Sequence, residues 1–203
     1  MNQAAARTAL DVSVLPEYSF GQRSVLWWAT MCMIAIEGMM FALVVTSYLY
    51  LKGRMPHWPD GVPVPGLMWG TINLGIMIVS LVPNQLTKKA AERFDLKAVR
   101  LWLSVCLAFA VAFTVVRFLE FTTLNVRWDT NAYGSITWVL LGFHTVHVLT
   151  DLLDSSVLAA IMFVGPVDEH RFVDVSENAF YWYFVVLTWL PIYGVLYLLP
   201  RFV

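Results

Sequence analysis

Two histidines and two aspartates lie in one apolar stretch, Tyr133–Ser156, which reads YGSITWVLLGFHTVHVLTDLLDSS. His144, His147, Asp151 and Asp154 follow one another at spacings of three, four and three residues. On an α-helix that spacing stacks all four along one face. Imidazoles and carboxyls arranged this way can ligate a metal or haem, pass protons, or hydrogen-bond to a facing helix. Ionisable side chains are costly in hydrocarbon and mark a functional hypothesis there. Such a face must meet another helix, a bound polar group or water.

A second candidate, Glu37, sits in the middle of another apolar run, MCMIAIEGMMFALVV, with no charged neighbour nearby in its own segment. At a rise of about 1.5 Å per residue, Glu37 lies roughly 18 Å from the inner end of its helix, and Asp151 and His147 lie roughly 20 and 26 Å from the inner end of theirs. The depths match, so Glu37 is expected to face the histidine helix and hydrogen-bond His147 or His144. Two roles remain open for it, a proton-carrying or carbodiimide-reactive carboxyl, or a neutral acid that pins two helices together. Arg117 and Glu120, in VVRFLEF, form a possible i,i+3 pair. Haem ligation by His144 or His147 would call for a facing histidine. No other apolar segment carries a central one, since His57 and His170 fall in predicted loops. Asn73 and Ser80 read as polar notches for helix packing.

The elements that must position these groups follow from composition. The chain has 203 residues, 59% hydrophobic and only 13% charged, and a mean hydropathy of +0.68. Soluble domains carry about 25% charged residues, so the chain reads as an all-α integral membrane protein. Net charge is −1, which leaves no basic surface for nucleic acid. Five runs reach the ~20 residues that cross hydrocarbon. They span about Val25–Leu51, Gly66–Leu86, Val99–Phe121, Gly134–Val164 and Asn178–Leu199. Residues 1–24 form a polar tail, extended or disordered around Pro16, and residues 25–203 form one five-helix transmembrane domain. Cys32 and Cys106 lie in apolar segments, as small buried hydrophobes do. Lys and Arg divide eight to four between the two sides, with Arg117 inside the third segment. The richer side holds the N-terminus, so the N-terminus is expected in the cytoplasm.

With these residues in place, the chain from about Trp27 to Tyr197 resembles subunit III of the haem-copper respiratory oxidases, in the short bacterial form with five helices. The run YGSITWVLLGFHTVHV carries the resemblance most specifically, with its Tyr-Gly-Ser start, Gly-Phe-His, and a second histidine three residues on. The glutamate helix ending in YLYLKGR, the Pro-rich loop followed by Asn73 and Ser80, and RFLEF are similar to other family segments. The resemblance implies that Glu37 is the family's buried, carbodiimide-reactive glutamate. It implies a subunit with no catalytic centre and no haem, copper or other metal of its own. Such a subunit packs on catalytic subunit I, with subunit II nearby, in a bacterial inner membrane. Haem and copper belong to those partners. The family's subunit III holds structural phospholipid, preserves proton uptake, and is linked to oxygen entry along its lipid-lined surface.

The chain departs from the family pattern in places. Thr145 and Asp151 stand where the family has glycine. Tyr183 and Val186 replace a histidine and an aspartate of the last helix, and Glu177 lies one residue closer to that motif. Asp151 would compensate as a new acid within the bundle. Other complexes and classes stay open: a quinol oxidase, a nitric-oxide reductase complex, a haem-b anchor, or a small transporter relaying protons through Glu37, His147 and Asp151.

Overall fold

A computed structural model describes residues 18–59 and 61–202. Among them are five long helices and no strand: α1 (Val25–Arg54), α2 (Leu67–Glu92), α3 (Leu96–Thr122), α4 (Ala132–Val164) and α5 (Glu169–Tyr193). Each is long and apolar enough to cross a membrane. The chain is an all-helical, multi-pass membrane protein. The expectation for the first part of the N-terminal tail lies outside the described residues. The remainder leads through a single 3-10 turn, Gly21–Arg23, into α1.

Helix starts are set by short polar side chains. Ser24, Asp95, Asn131 and Asp168 each accept a backbone N–H of the first turn of α1, α3, α4 and α5. These caps satisfy donors that hydrocarbon would leave bare. The α2–α3 turn is tight. Phe94 adopts φ 57°, and its N–H and that of Asp95 return to the carbonyls of Ala91 and Ala90, the left-handed ending usual after a helix. Two helices are longer than the apolar runs suggested. α2 continues to Glu92, and α5 starts at Glu169, nine residues before Asn178. His170, Arg171 and Glu177 therefore belong to α5 rather than to a loop. Polar residues at these ends keep the helix going past the apolar stretch. Beyond Pro191 the regular α-helix stops at Tyr193, and a π-helical turn, Gly194–Leu198, follows.

α5 is the central helix, packed on α1, α2 and α4; α2 also packs on α3, and α4 on α1 and α3. The main core combines Phe41, Met77, Phe113, Leu140, Leu141, Val185, Trp189 and Ile192. α1 is peripheral and turns Trp28, Ile36, Met39 and Leu43 outward. Cys32 is on this exposed face, not buried, while Cys106 is half-buried. Two glycines permit close approaches. A Cβ on Gly134 would lie 2.2 Å from the Arg127 carbonyl oxygen, and one on Gly70 would lie 2.7 Å from the Tyr197 ring.

Candidate functional site

α4 carries the four predicted polar residues, but they do not share one neighbour. His144 is fully buried. It points toward α5, and its Nε2 donates to the Val185 carbonyl at 3.0 Å. The rings of Phe113 and Trp189 lie 5.8 and 4.9 Å from its own. His144 is therefore not a partner of Glu37. Residues three apart on a helix differ by about 60° in direction, enough to aim the two imidazoles at different helices.

His147 points to α1. Its Nδ1 donates to the Phe143 carbonyl at 2.6 Å, and its Nε2 stands 3.7 Å from Glu37 Oε1. That separation is an ion-pair distance, longer than a hydrogen bond. With Nδ1–H committed to the carbonyl, Nε2 is the atom that can take a proton. The hydrogen bond of Glu37 goes elsewhere, to Tyr181, which donates its hydroxyl to Oε2 at 2.7 Å. Phe41 covers the pair, its ring 4.8 Å from that of His147.

Asp151 and Asp154 separate as well. Asp154 is exposed and accepts Asn178 Nδ2 at 3.1 Å. Asp151 is 5% exposed, and its Oδ1 is buried with no hydrogen-bond partner. Both line a groove of about 620 Å³ between α1, α4 and α5, together with Glu37, Glu177 and Tyr181. Apolar walls from Leu26, Met33, Val157, Leu158 and Ile161 complete it. The groove is amphipathic: acids sit among surfaces suited to an alkyl chain.

Toward the other end of the bundle, Arg117 and Glu120 form an ion pair at 2.8 Å with side chains 0% and 3% exposed. A pair that deep needs further hydrogen bonds to offset desolvation. Glu120 has them, from Asn73 Nδ2 at 2.7 Å and from the Tyr197 hydroxyl. The Arg117 guanidinium lies 4.0 Å from the centre of the Trp189 ring and 4.9 Å from that of Phe113, cation–π contacts that replace water. Asn73 thus serves an acid as well as packing. Ser80 accepts the Trp182 indole N–H at 2.9 Å and links α2 to α5. Of the two departures in α5, the Tyr183 hydroxyl reaches Gln85 and Val186 is buried in the apolar core.

The sequence does not single out Tyr181 on α5 or Tyr197 in the π-helical turn, because the whole last segment is aromatic. Their signal was a polar handle on a ring at the depth of each buried acid. Among the described residues, no group of three or more His, Cys, Asp or Glu side chains is placed to hold a metal ion.

Fold and site together define a multi-pass membrane protein with ionisable groups inside its helices, Glu37 facing His147 across two of them and Arg117 paired with Glu120 within α3. The chain belongs to the cytochrome c oxidase subunit III family, whose profile matches residues 67–200. That interval takes in α2 to α5; Glu37 on α1 lies before it. The chain is 29% identical over 167 residues to cytochrome c oxidase subunit 3 of Thermostichus vulcanus, covering 82% of this chain and 83% of the relative. It is 29% identical over 168 residues to the Synechocystis sp. protein of the same name, covering 82% and 72%. The corresponding protein of Corynebacterium diphtheriae is 26% identical over 166 residues, covering 78% of each chain. The chain is thus a subunit III of a haem-copper oxidase and works in a complex with other oxidase subunits.

Proposed function

We propose that this chain is the non-catalytic subunit III of a cytochrome c oxidase in a bacterial inner membrane. It packs on catalytic subunit I beside subunit II, and its N-terminus faces the cytoplasm. Haem and copper reside in those partners, where oxygen is reduced. The family match across α2 to α5 carries this reading. The exposed apolar faces of α1 and α3 supply contact area for a partner or for lipid. The inner groove holds structural phospholipid, an acyl chain lying along Met33, Val157 and Ile161. Glu37, His147 and Tyr181 tie α1 to α4 and α5 and fix the width of that groove.

A mild-detergent pull-down of the chain, with an optical spectrum of the accompanying proteins, tests the assignment. Haem a or haem o with oxygen consumption and cytochrome c as donor is the expected result. Oxidation of quinol instead moves the chain to a quinol oxidase. Haem b and c with nitric-oxide turnover moves it to a reductase complex. A colourless chain without partners overturns the subunit reading. Lipid extracted from the washed complex tests the groove; a phospholipid lost on Val157→Trp is expected.

A further inference from the structure

We propose that Asp151 is a proton-binding site with its own water, standing between the inner groove and a small chamber inside the bundle. The carboxyl lines both spaces. On one side lies the groove of about 620 Å³ between α1, α4 and α5. On the other is a chamber of about 20 Å³, walled by Ser80, Asn84, Thr87, Cys106, Ser155 and Asn178 among others. A buried water needs about 10–15 Å³ and two to four polar partners. The chamber has room for one, and Asp151 Oδ1 is a buried oxygen with no hydrogen-bond partner among the described residues.

The hydrogen bonds around the chamber indicate which form of the carboxyl fits. Ser80 donates its hydroxyl proton to the Met77 carbonyl, Thr87 to the Pro83 carbonyl, and Ser155 to Asn178 Oδ1. Asn84 donates through Nδ2 to the Ala179 carbonyl. These hydroxyls therefore turn lone pairs, not protons, toward the chamber. An ionised Asp151 would add another acceptor beside three hydroxyls whose protons are already given away. A protonated Asp151 supplies an O–H to the water oxygen, and the water gives its own two protons to chamber acceptors.

Among the described residues, no cation lies against the carboxylate. Glu37 from α1, Asp154 on its own helix, and Glu177 and Tyr181 from α5 line the groove with it, and Cys106 from α3 lines the chamber. Arg171 is the cation at the groove, and it is paired with Asp174 at 3.1 Å. Proton uptake then has a simple balance. A hydronium in the groove gives its proton to the carboxylate, an O–H bond forms on Asp151, and one water is left behind. Trp182, Leu103 and Ala110 also line the chamber, and the proton is exchanged with the groove. The inner half of the bundle thereby gains one exchangeable proton.

Infrared spectroscopy of the chain, purified with the subunits that accompany it and labelled with heavy-carbon carboxyl aspartate, tests this. One protonated-aspartate carbonyl band is expected at neutral pH, moving to lower frequency in heavy water. That measurement uses the unsubstituted protein, so it does not depend on a variant folding. Asp151→Asn removes the band and Glu37→Gln leaves it. Ser155→Val fills the chamber and moves the band to higher frequency, as the carboxyl loses its water. Absence of the band, or its persistence in Asp151→Asn, overturns the proton site. A band unmoved by Ser155→Val overturns the bound water.

Discussion

Tyr181 on α5 donates a 2.7 Å hydrogen bond to Glu37 on α1, and the same carboxyl stands 3.7 Å from His147 on α4. One acid therefore joins three helices at a single depth. α1 is the peripheral helix, and its packing partners are α4 and α5. Removing the hydroxyl in Tyr181→Phe keeps the ring and deletes only the donor. Interhelical hydrogen bonds in membranes contribute about 0.6 kcal/mol on average and up to about 1.7. A loss in that range is expected in reversible unfolding in mixed micelles. Unchanged stability would show that Tyr181 does not hold α1.

Glu37→Gln and Glu37→Ala should part company. Glutamine keeps an oxygen for Tyr181 and changes only the atom that stands 3.7 Å from His147. Alanine leaves both partners unmatched beside the groove. Retention of accompanying subunits on washing should therefore fall more in Glu37→Ala than in Glu37→Gln. The complex that stays assembled should keep its electron-transfer rate, because on the proposed function haem and copper reside in the partner subunits. A severe loss of oxygen reduction in an intact Glu37→Ala complex would contradict this placement.

How much of this was legible in the sequence follows from where hydropathy and function coincide. The five spans were legible because each apolar run is long, and the ionisable residues inside them were conspicuous for the cost of placing them there. The start of α5 was not legible, because Glu169 to Glu177 is helical yet polar. The shared face of α4 was legible as a face, but not as two directions; His144 and His147 part because neighbouring helices approach from both sides. Tyr197 was hidden for another reason. It meets Glu120 across 77 residues of chain, and nothing local marks that meeting.

The Arg117–Glu120 pair gives a sharper energetic expectation than a surface pair would. Breaking a buried ion pair from one side costs about 3–5 kcal/mol, because the survivor stays charged and unmatched. Glu120→Ala should fall in that range, since it strands Arg117, Asn73 and Tyr197 together. The double variant Arg117→Met with Glu120→Leu removes both charges at similar volume and should recover much of the loss. Unfolding measurements on Arg117→Met, Glu120→Leu and the double close the cycle. Additive losses would mean that the two side chains do not depend on each other.

Two glycines separate a soft obstacle from a hard one. A Cβ at Gly70 meets the Tyr197 ring at 2.7 Å, and one at Gly134 meets the Arg127 carbonyl at 2.2 Å. The ring can swing aside, but doing so pulls the Tyr197 hydroxyl from Glu120. The carbonyl belongs to the backbone of the α3–α4 connection and can move only if the start of α4 moves with it. Overpacking typically costs about 1–3 kcal/mol. Gly70→Ala should lie inside that range and be largely relieved by Tyr197→Phe, which frees the ring from its hydrogen bond. Gly134→Ala should be the more damaging of the two, with no rescue from any side-chain change at Arg127. Equal losses for the two variants, or rescue of Gly134→Ala by Arg127→Ala, would show that the α3–α4 connection yields as readily as a tyrosine ring.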